Sequence, residues 1–418
     1  MSFVLLDIGG TFIKCRLSDQ RVEFKTEIPA FIQNQNQNIK EINPIELIEG
    51  IESVVTKFIQ SDKDIKGIIV TGQMHGWIIT NDNYEPINNL VSWQDARSLE
   101  NGYYESFLNN IDKSDILVCG NEIKPGSPVV GISMIMKDFN KENFKILSLL
   151  SWVTSQLVDH YSNTLHITDA AAFSFYSLSL NEWNKNICNL AMIPPESLPK
   201  VDKKMSVIGL SKIGKIPVFT PIGDFQASIV GAKLEQGEIS FNIATGGQVS
   251  YLDRGLANEN MQTRPYLNDL FIHTRTHLPA GRHASYVLSK FREGELKQNW
   301  DHLNNNCIDI MEKVLDNFQF DLDINGLFVN DSLDFFDSNE KLVEYIASIL
   351  KNYTDILDQV PTDLKFNVIG SGGLIANSSF VRECLEYLGK FQFKRITLRS
   401  DASINGLEIL SKELSIFN

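Results

Sequence analysis

Three glycine-rich turns, each following a stretch that reads as a strand, constrain this chain more than any other feature. They are Asp7-Ile8-Gly9-Gly10-Thr11, Thr245-Gly246-Gly247 and Gly370-Ser371-Gly372-Gly373. Glycine lets the backbone approach a ligand closely and aim several N–H groups at it, and threonine adds a hydroxyl donor. A carboxylate such as Asp7 repels phosphate. It can, however, hold a divalent cation, usually through water, that bridges to one. Each turn taken alone reads more readily as a plain hairpin turn. Three together, one led by an aspartate and two carrying a threonine, point to a phosphate-bearing ligand. None contains Gly-Lys-Ser/Thr, and the first opens a strand rather than a helix, so P-loop and Rossmann architectures are disfavoured.

The elements around these turns repeat in kind. Residues 2–7 read as a short buried strand, and Phe12 to Leu17 returns as its hairpin partner. Gln33 to Asn38 is a polar tract that reads as a solvated loop. Pro44 starts a helix whose Ile45, Ile48, Ile51, Val55, Phe58 and Ile59 share one stripe. Ile65 to Val70 reads as a strand that ends in Thr71-Gly72-Gln73-Met74-His75-Gly76, and Trp77 to Thr80 resumes extended. Residues 145–192 read as mostly helical. Residues 194–221 carry five prolines and two glycines, and their end is the expected domain boundary. A helix from about Phe225 and a strand pair at 239–244 and 248–253 follow. Helical patterns then occupy about 284–293, 304–316 and 339–358, with a strand at 366–369, a helix from about Ser378, a strand at 393–397 and a final helix from about 402. The order predicts two α/β domains, 1–221 and 222–418, facing each other across a cleft.

Charge and cysteine usage narrow the partners. Lys and Arg number 38 against 52 Asp and Glu, a net charge of −14, which argues against a nucleic-acid or membrane-surface binder. The five cysteines are scattered, with no zinc spacing, and read as free thiols of a cytoplasmic protein. The N-terminus has no basic segment or cleavage site of a signal peptide, and no apolar run approaches the ~18 residues of a membrane span.

Polar residues gather at few places. Asp224 precedes the helical run Phe225 to Leu234. It reads either as a helix cap or as a general base that takes the proton of a hydroxyl attacking the γ-phosphate of ATP. His75, between Met74 and Gly76, reads as a structural hydrogen-bonder or as a side chain displayed to a ligand by a constrained turn. Trp93, Gln94, Asp95 and Arg97 form a group suited to a sugar, with an aromatic face for C–H surfaces and carboxylate and amide groups for hydroxyls. The same group also reads as an ordinary helix start. Residues 264–292 form a basic island, with Arg264, Arg275, Arg282, Lys290 and Arg292, that reads equally as a phosphate-attracting patch or a solvated face.

With these motifs in place the chain resembles the FGGY family of carbohydrate kinases, of the actin/hexokinase/Hsp70 superfamily, and within it sedoheptulokinases first and xylulokinases next. Gly72-Gln73-Met74-His75-Gly76 is similar to the ketose-kinase motif, and Trp93-Gln94-Asp95-Ala96-Arg97 to the Trp-Gln-Asp-x-Arg of sedoheptulokinases. Gly223-Asp224-Phe225-Gln226-Ala227 resembles Gly-Asp-Gln-Gln-Ala. Asn242 to Gln248 resembles the Asn-Ile-Ser-Thr-Ser-x-Gln phosphate turn, and Gly370 to Gly373 with Asn377 resembles the adenosine turn.

The resemblance implies two actin-like ATPase, ribonuclease H-like domains with a catalytic cleft between them. The first would bind sugar and the second nucleotide, with ATP and Mg²⁺ as cofactors. It implies Asp224 as the base and Asp7 beside the metal. Met74, His75, Trp93, Asp95 and Asp224 would line the sugar site. Gly10, Thr11, Lys14, Thr245 and Gly246 would lie on the phosphate side, and Gly372, Gly373 and Asn377 at adenosine. Relatives are commonly homodimers. The first turn departs from the family's Asp-x-Gly-Thr-x-Ser-x-Lys: Gly10 takes the Thr slot and Phe12 the Ser slot, while Lys14 is retained. Leu278-Pro279-Ala280-Gly281-Arg282 stands where relatives carry Gly-Gly-Asn. The altered first turn motivates a second reading, a catalytically weak relative that binds sugar and nucleotide for regulation. A filament or chaperone ATPase of the superfamily is a third, and it has no use for the Met-His turn.

Overall fold

The computed structural model describes residues 2–20, 23–61, 64–256, 260–292, 294–320, 334–361, 364, 367–397 and 402–417. The chain forms two compact α/β units. The first comprises Met1–Lys233, Arg254–Phe271 and Asp401–Asn418; the second comprises Leu234–Asp253 and Ile272–Ser400. The first unit therefore runs past the expected division at 221/222, and it takes back two later segments. The physical reason lies in the helix Asp224–Ala232, whose Ala227 and Val230 pack into a core with Phe3, Leu5 and Ile69.

The first unit is organised by a mixed sheet. Its order is Val207–Leu210, Pro217–Phe219, Ile65–Gly72, Ser2–Ile8, Phe12–Leu17 and Glu23–Glu27, and Ile222–Gly223 also pairs with Ile65–Gly72. Ser2–Ile8 is buried at every residue, as expected of a central strand covered on both faces. Strand alternation sorts its side chains. Val4, Leu6 and Ile8 point into a core with Leu47, Ile51 and Val55 of the helix Pro44–Ser61. Phe3 and Leu5 point to the opposite core, closed by Ala227 and Val230 and by Ile404, Leu407 and Leu410 of the helix Ala402–Phe417. Each such side chain contributes about 1.5–3 kcal/mol on burial.

The helices Asp224–Ala232 and Ala402–Phe417 cross in very close contact. A Cβ on Gly231 would lie 2.0 Å from the Ala402 carbonyl oxygen, and one on Gly406 would lie 1.9 Å from that of Ala227.

Residues 145–192 are not mostly helical. Short helices at Leu149–Leu157, Ile167–Ala171 and Lys185–Leu190 alternate with strands at Phe144–Ser148, Thr164–His166, Tyr176–Ser177 and Glu182–Trp183. Its runs 146–158 and 165–178 are buried almost without break, so apolar periodicity does not separate strands from helices there.

The second unit repeats the first in outline. Ile239–Ile243 and Gly247–Asp253 form an antiparallel hairpin, and Val368–Ser371 lies parallel to Ile239–Ile243. Arg395–Thr397 extends the sheet in parallel. In the first unit, Ser2–Ile8 and Phe12–Leu17 form the hairpin and Ile65–Gly72 the parallel neighbour. The expected helices are present as Gly281–Lys290, Ile308–Leu315, Asn339–Thr354 and Ser379–Gly389, with Leu296–Asn306 in addition. Phe366, expected to start a strand, lies outside the described residues, and the strand runs over Val368–Ser371. No helix among the described residues is long and apolar enough to cross a membrane. All five cysteines are buried free thiols.

Candidate active site

Three neighbouring parallel strands of the first unit end side by side. In their register Asp7 pairs with Thr71 and Ile8 with Gly72, while Ile222 pairs with Thr71 and Gly223 with Gly72. The residues at and just beyond those ends are Asp7, then Gln73, Met74 and His75, then Asp224. Ligands of open α/β sheets sit outside the carboxyl ends of strands, because side chains and free N–H groups from several strands converge there. The junction is pinned by two bonds. Gln73 N–H donates to the Ile8 carbonyl at 2.8 Å, and the Thr71 hydroxyl donates to the Ile222 carbonyl at 2.9 Å.

Asp224 opens the helix Asp224–Ala232, with Gly223 as its cap residue. Its half-buried carboxyl is pushed up to about 7, first by desolvation and then by the negative charge of Asp7. Asp7 is buried and accepts a hydrogen bond from the Ser403 hydroxyl at 2.6 Å. Two carboxylates that feel each other in this way form a donor set suited to a divalent cation carrying phosphate oxygens and water as its other ligands. No group of three or more His, Cys, Asp or Glu among the described residues could hold a metal ion.

Met74 packs its thioether against the Gly223 backbone, where a Cβ would lie 2.5 Å from Sδ. His75 sits at φ 64°, a left-handed conformation that costs roughly 1–2 kcal/mol outside glycine. Its Nδ1–H donates to the Ala172 carbonyl at 2.6 Å. Burial, followed by the Lys124 charge, pushes its pKa down to about 3, so the ring is neutral and Nε2 is an acceptor. Nε2 lies 3.8 Å from a Glu122 carboxylate oxygen, and Glu122 is only 4% exposed. Burial pushes Glu122 up, but Arg264 outweighs it and holds the carboxyl below its usual range. Arg264 donates from Nε at 2.6 Å and Nη2 at 3.1 Å and stacks on the Phe225 ring at 4.8 Å.

Asp95 is buried, and its carboxylate already accepts bonds from Lys40 N–H at 2.8 Å, from Arg97 Nε at 2.7 Å and from Arg97 Nη2 at 2.8 Å. Arg97 in turn reaches Glu41 at 2.6 Å. Asp95 thus closes the loop that carries Trp93, whose side is 41% exposed. Trp93 stands next to Gly10 of the first turn, and Lys14 lies directly across the hairpin from Asp7. Gly10 and Thr11 are exposed.

The second unit holds a cavity of about 580 Å³ lined by Ala244, Thr245, Gly281, Arg282, Gly373 and Asn377 together with Trp300 and Asn304. Gly281 and Arg282 N–H donate to the carbonyls of Ala244 and Thr245 at 2.9 and 3.2 Å. Gly372 takes φ 90°, which favours glycine, and turns the chain into the helix Gly373–Asn377. Gly246 and Gly372 adjoin the lining residues in sequence. The basic island forms no single patch. Arg264 turns inward to Glu122, Arg292 bonds the Asp337 carbonyl, and of the named cations Arg282 is the one that lines this cavity.

The motif residues were legible from their local patterns. Gln73, Glu122, Lys124, Ser403, Trp300 and Asn304 were not singled out as site residues. Glu122 is an isolated residue that meets Arg264 only in space. Gln73 lay inside the quoted motif, where its buried amide was the missed signal.

The N-terminal domain of the FGGY family of carbohydrate kinases matches residues 2–231. Xylulose kinase of Bacillus subtilis is 23% identical over 270 residues, covering 60% of this chain and 53% of that protein. Xylulose kinase of Staphylococcus epidermidis is 34% identical over 100 residues, covering 22% of this chain and 20% of that protein. Glycerol kinase 2 of Saccharolobus solfataricus is 24% identical over 211 residues, covering 47% and 41%. The chain thus spans about half or less of the length of these curated relatives. Ligand-bound xylulose kinase from Lactobacillus acidophilus superposes with a TM-score of 0.78 at 15% identity, over 99% of this chain and 90% of that one. Plasmodium falciparum glycerol kinase with ADP gives 0.78 at 18% identity, over 100% and 90%. These likenesses show a fold of two actin-like, ribonuclease H-like domains.

Proposed function

We propose that this chain, which belongs to the FGGY family of carbohydrate kinases, transfers the γ-phosphoryl group of ATP to a hydroxyl of a ketose. The observation that carries the reading is the convergence of Asp7, Met74, His75 and Asp224 at the ends of three adjacent strands. Asp224 is the base: a carboxyl pushed up to about 7 holds a proton well enough to take one from a hydroxyl as its oxygen bonds to phosphorus. His75 accepts a second substrate hydroxyl through Nε2, and Met74 forms the apolar wall. Asp95, its oxygens occupied by Arg97 and Lys40, acts by holding the Trp93 loop in place.

A Mg²⁺ ion bound with the nucleotide would neutralise phosphate charge, and Asp7 would hold it, leaving the Asp224 carboxylate to act as the base. Thr245, Gly246 and Arg282 suit the phosphates, and Gly372, Gly373 and Asn377 suit the adenosine of a nucleotide in the 580 Å³ cavity. The ketose is of xylulose or sedoheptulose type. Xylulose kinases among the relatives favour the former, and the Trp-Gln-Asp-x-Arg motif favours the latter.

The test is ADP release from Mg²⁺-ATP with D-xylulose, sedoheptulose, glycerol and gluconate. One ketose is expected to be turned over, with Asp224→Asn losing about 10²–10⁴-fold in kcat. Equal turnover by wild type and Asp224→Asn would remove the base from the mechanism.

A further inference from the structure

We infer that Gly10 opens a notch for one substrate hydroxyl between the Trp93 indole and the Gln73 amide, making Gln73 a specificity residue on the acceptor side. The inference rests on the kinase reading above and assigns a contact that reading does not contain. A Cβ on Gly10 would lie 3.6 Å from Trp93 Nε1 and 3.9 Å from Gln73 Oε1. An oxygen near that position is within reach of both groups after a small shift. Indole N–H only donates, and an amide oxygen only accepts. A hydroxyl satisfies both at once, whereas an ionised phosphoryl oxygen meets the indole but is repelled by the amide oxygen.

Gln73 is itself only 5% exposed, and its Nε2 has no hydrogen-bond partner. A buried amide donor without a partner is costly, which marks Gln73 as polar for a reason other than packing; the notch itself uses its Oε1 acceptor. Family relatives place Thr in the Gly10 slot, and its side chain would fill the notch. This chain leaves the space open for a ligand's own oxygen.

The test separates the two co-substrates. Gly10→Ala places a methyl group in ordinary contact with Trp93 and requires no unusual backbone, so the variant is expected to fold. Gln73→Met keeps the volume and removes the polar end. Each is expected to raise KM for the ketose roughly 3–10-fold, the worth of one hydrogen bond, with KM for Mg²⁺-ATP moving less than twofold. The double variant is expected to lose no more than the worse single one, because both remove the same contact. Without ligand, Gln73→Met is expected to melt no lower than wild type.

Thermal shift by D-xylulose and sedoheptulose alone gives a second readout that needs no turnover. A ketose that shifts wild type and both variants equally overturns the notch, whether or not phosphate is transferred. A rise confined to KM for ATP also overturns it, placing the contact on the phosphate side. Absence of ADP release from wild type that still binds a ketose would count against the kinase reading and leave the notch standing on the thermal-shift comparison.

Discussion

Met74 precedes His75 in the chain and packs on Gly223, the residue before Asp224, yet burial moves the titrations of Asp224 and His75 in opposite directions. Desolvation and Asp7 push the Asp224 carboxyl up to about 7, while desolvation and Lys124 push His75 down to about 3. The base must be ionised to act. The rate is therefore expected to fall as pH drops through about 7, measured as kcat/KM against pH, which reports the unliganded protein. His75→Asn should raise KM for the ketose while leaving that limb in place, since a ring already neutral contributes nothing to it. The Glu122–Arg264 pair gives a second expectation at this scale. Arg264→Met strands a buried carboxylate and should cost about 3–5 kcal/mol in urea unfolding, whereas Glu122→Gln/Arg264→Met should cost less than the single change. Local spacing announced the glycine turns, the Met-His pair and Asp224, because each sits in a run of a few residues. Glu122 and Ser403 carry no such signal, since their partners Arg264 and Asp7 are remote in sequence.

Among the elements, the crossing of Asp224–Ala232 with Ala402–Phe417 fixes both carboxylates. One helix begins with Asp224, and the other carries Ser403 to Asp7. Gly231→Ala or Gly406→Ala would force the helices apart, since the added carbon would overlap a carbonyl oxygen. Each is expected to destabilise by about 1–3 kcal/mol, seen as a lower melting temperature, and to reduce kcat more than a surface change of equal stability cost. Hairpins, the amphipathic helix Pro44–Ser61 and the helix after Gly223 were readable because their periods are clean. Residues 145–192 were not, because nearly unbroken burial over 146–158 and 165–178 removes the polar positions that mark a period. The helix Leu296–Asn306 was missed for the opposite reason: its sequence LKQNWDHLNNN is mostly polar and buries only Asn299 and Leu303.

For the whole molecule, the residues proposed for sugar and for nucleotide fall in different units. Unit one carries Met74, His75 and Asp224, and unit two carries Thr245, Gly373 and Asn377. Binding to the folded state raises stability by about 2.7 kcal/mol at a hundredfold excess over Kd. A ketose and a nonhydrolysable Mg²⁺-ATP analogue are each expected to raise the melting temperature, and Asn377→Ala should abolish the nucleotide shift while sparing that of the ketose. The repeated arrangement of hairpin and parallel strand was legible in outline. The division at 221/222 was not, because proline content marks a loop but says nothing of which core the next helix enters.

The return of residues 401–418 to the first unit has a bearing on biosynthesis. A nascent chain that has delivered its first 233 residues still lacks the part of the cover over Phe3, Leu5 and Ile69 that Ile404, Leu407 and Leu410 supply. That oily surface stays wet until translation has passed through the entire intervening unit. Ribosome-associated holdases have that interval in which to act, and a polypeptide halted at 400 is expected to bind a dye such as ANS where the full-length product does not.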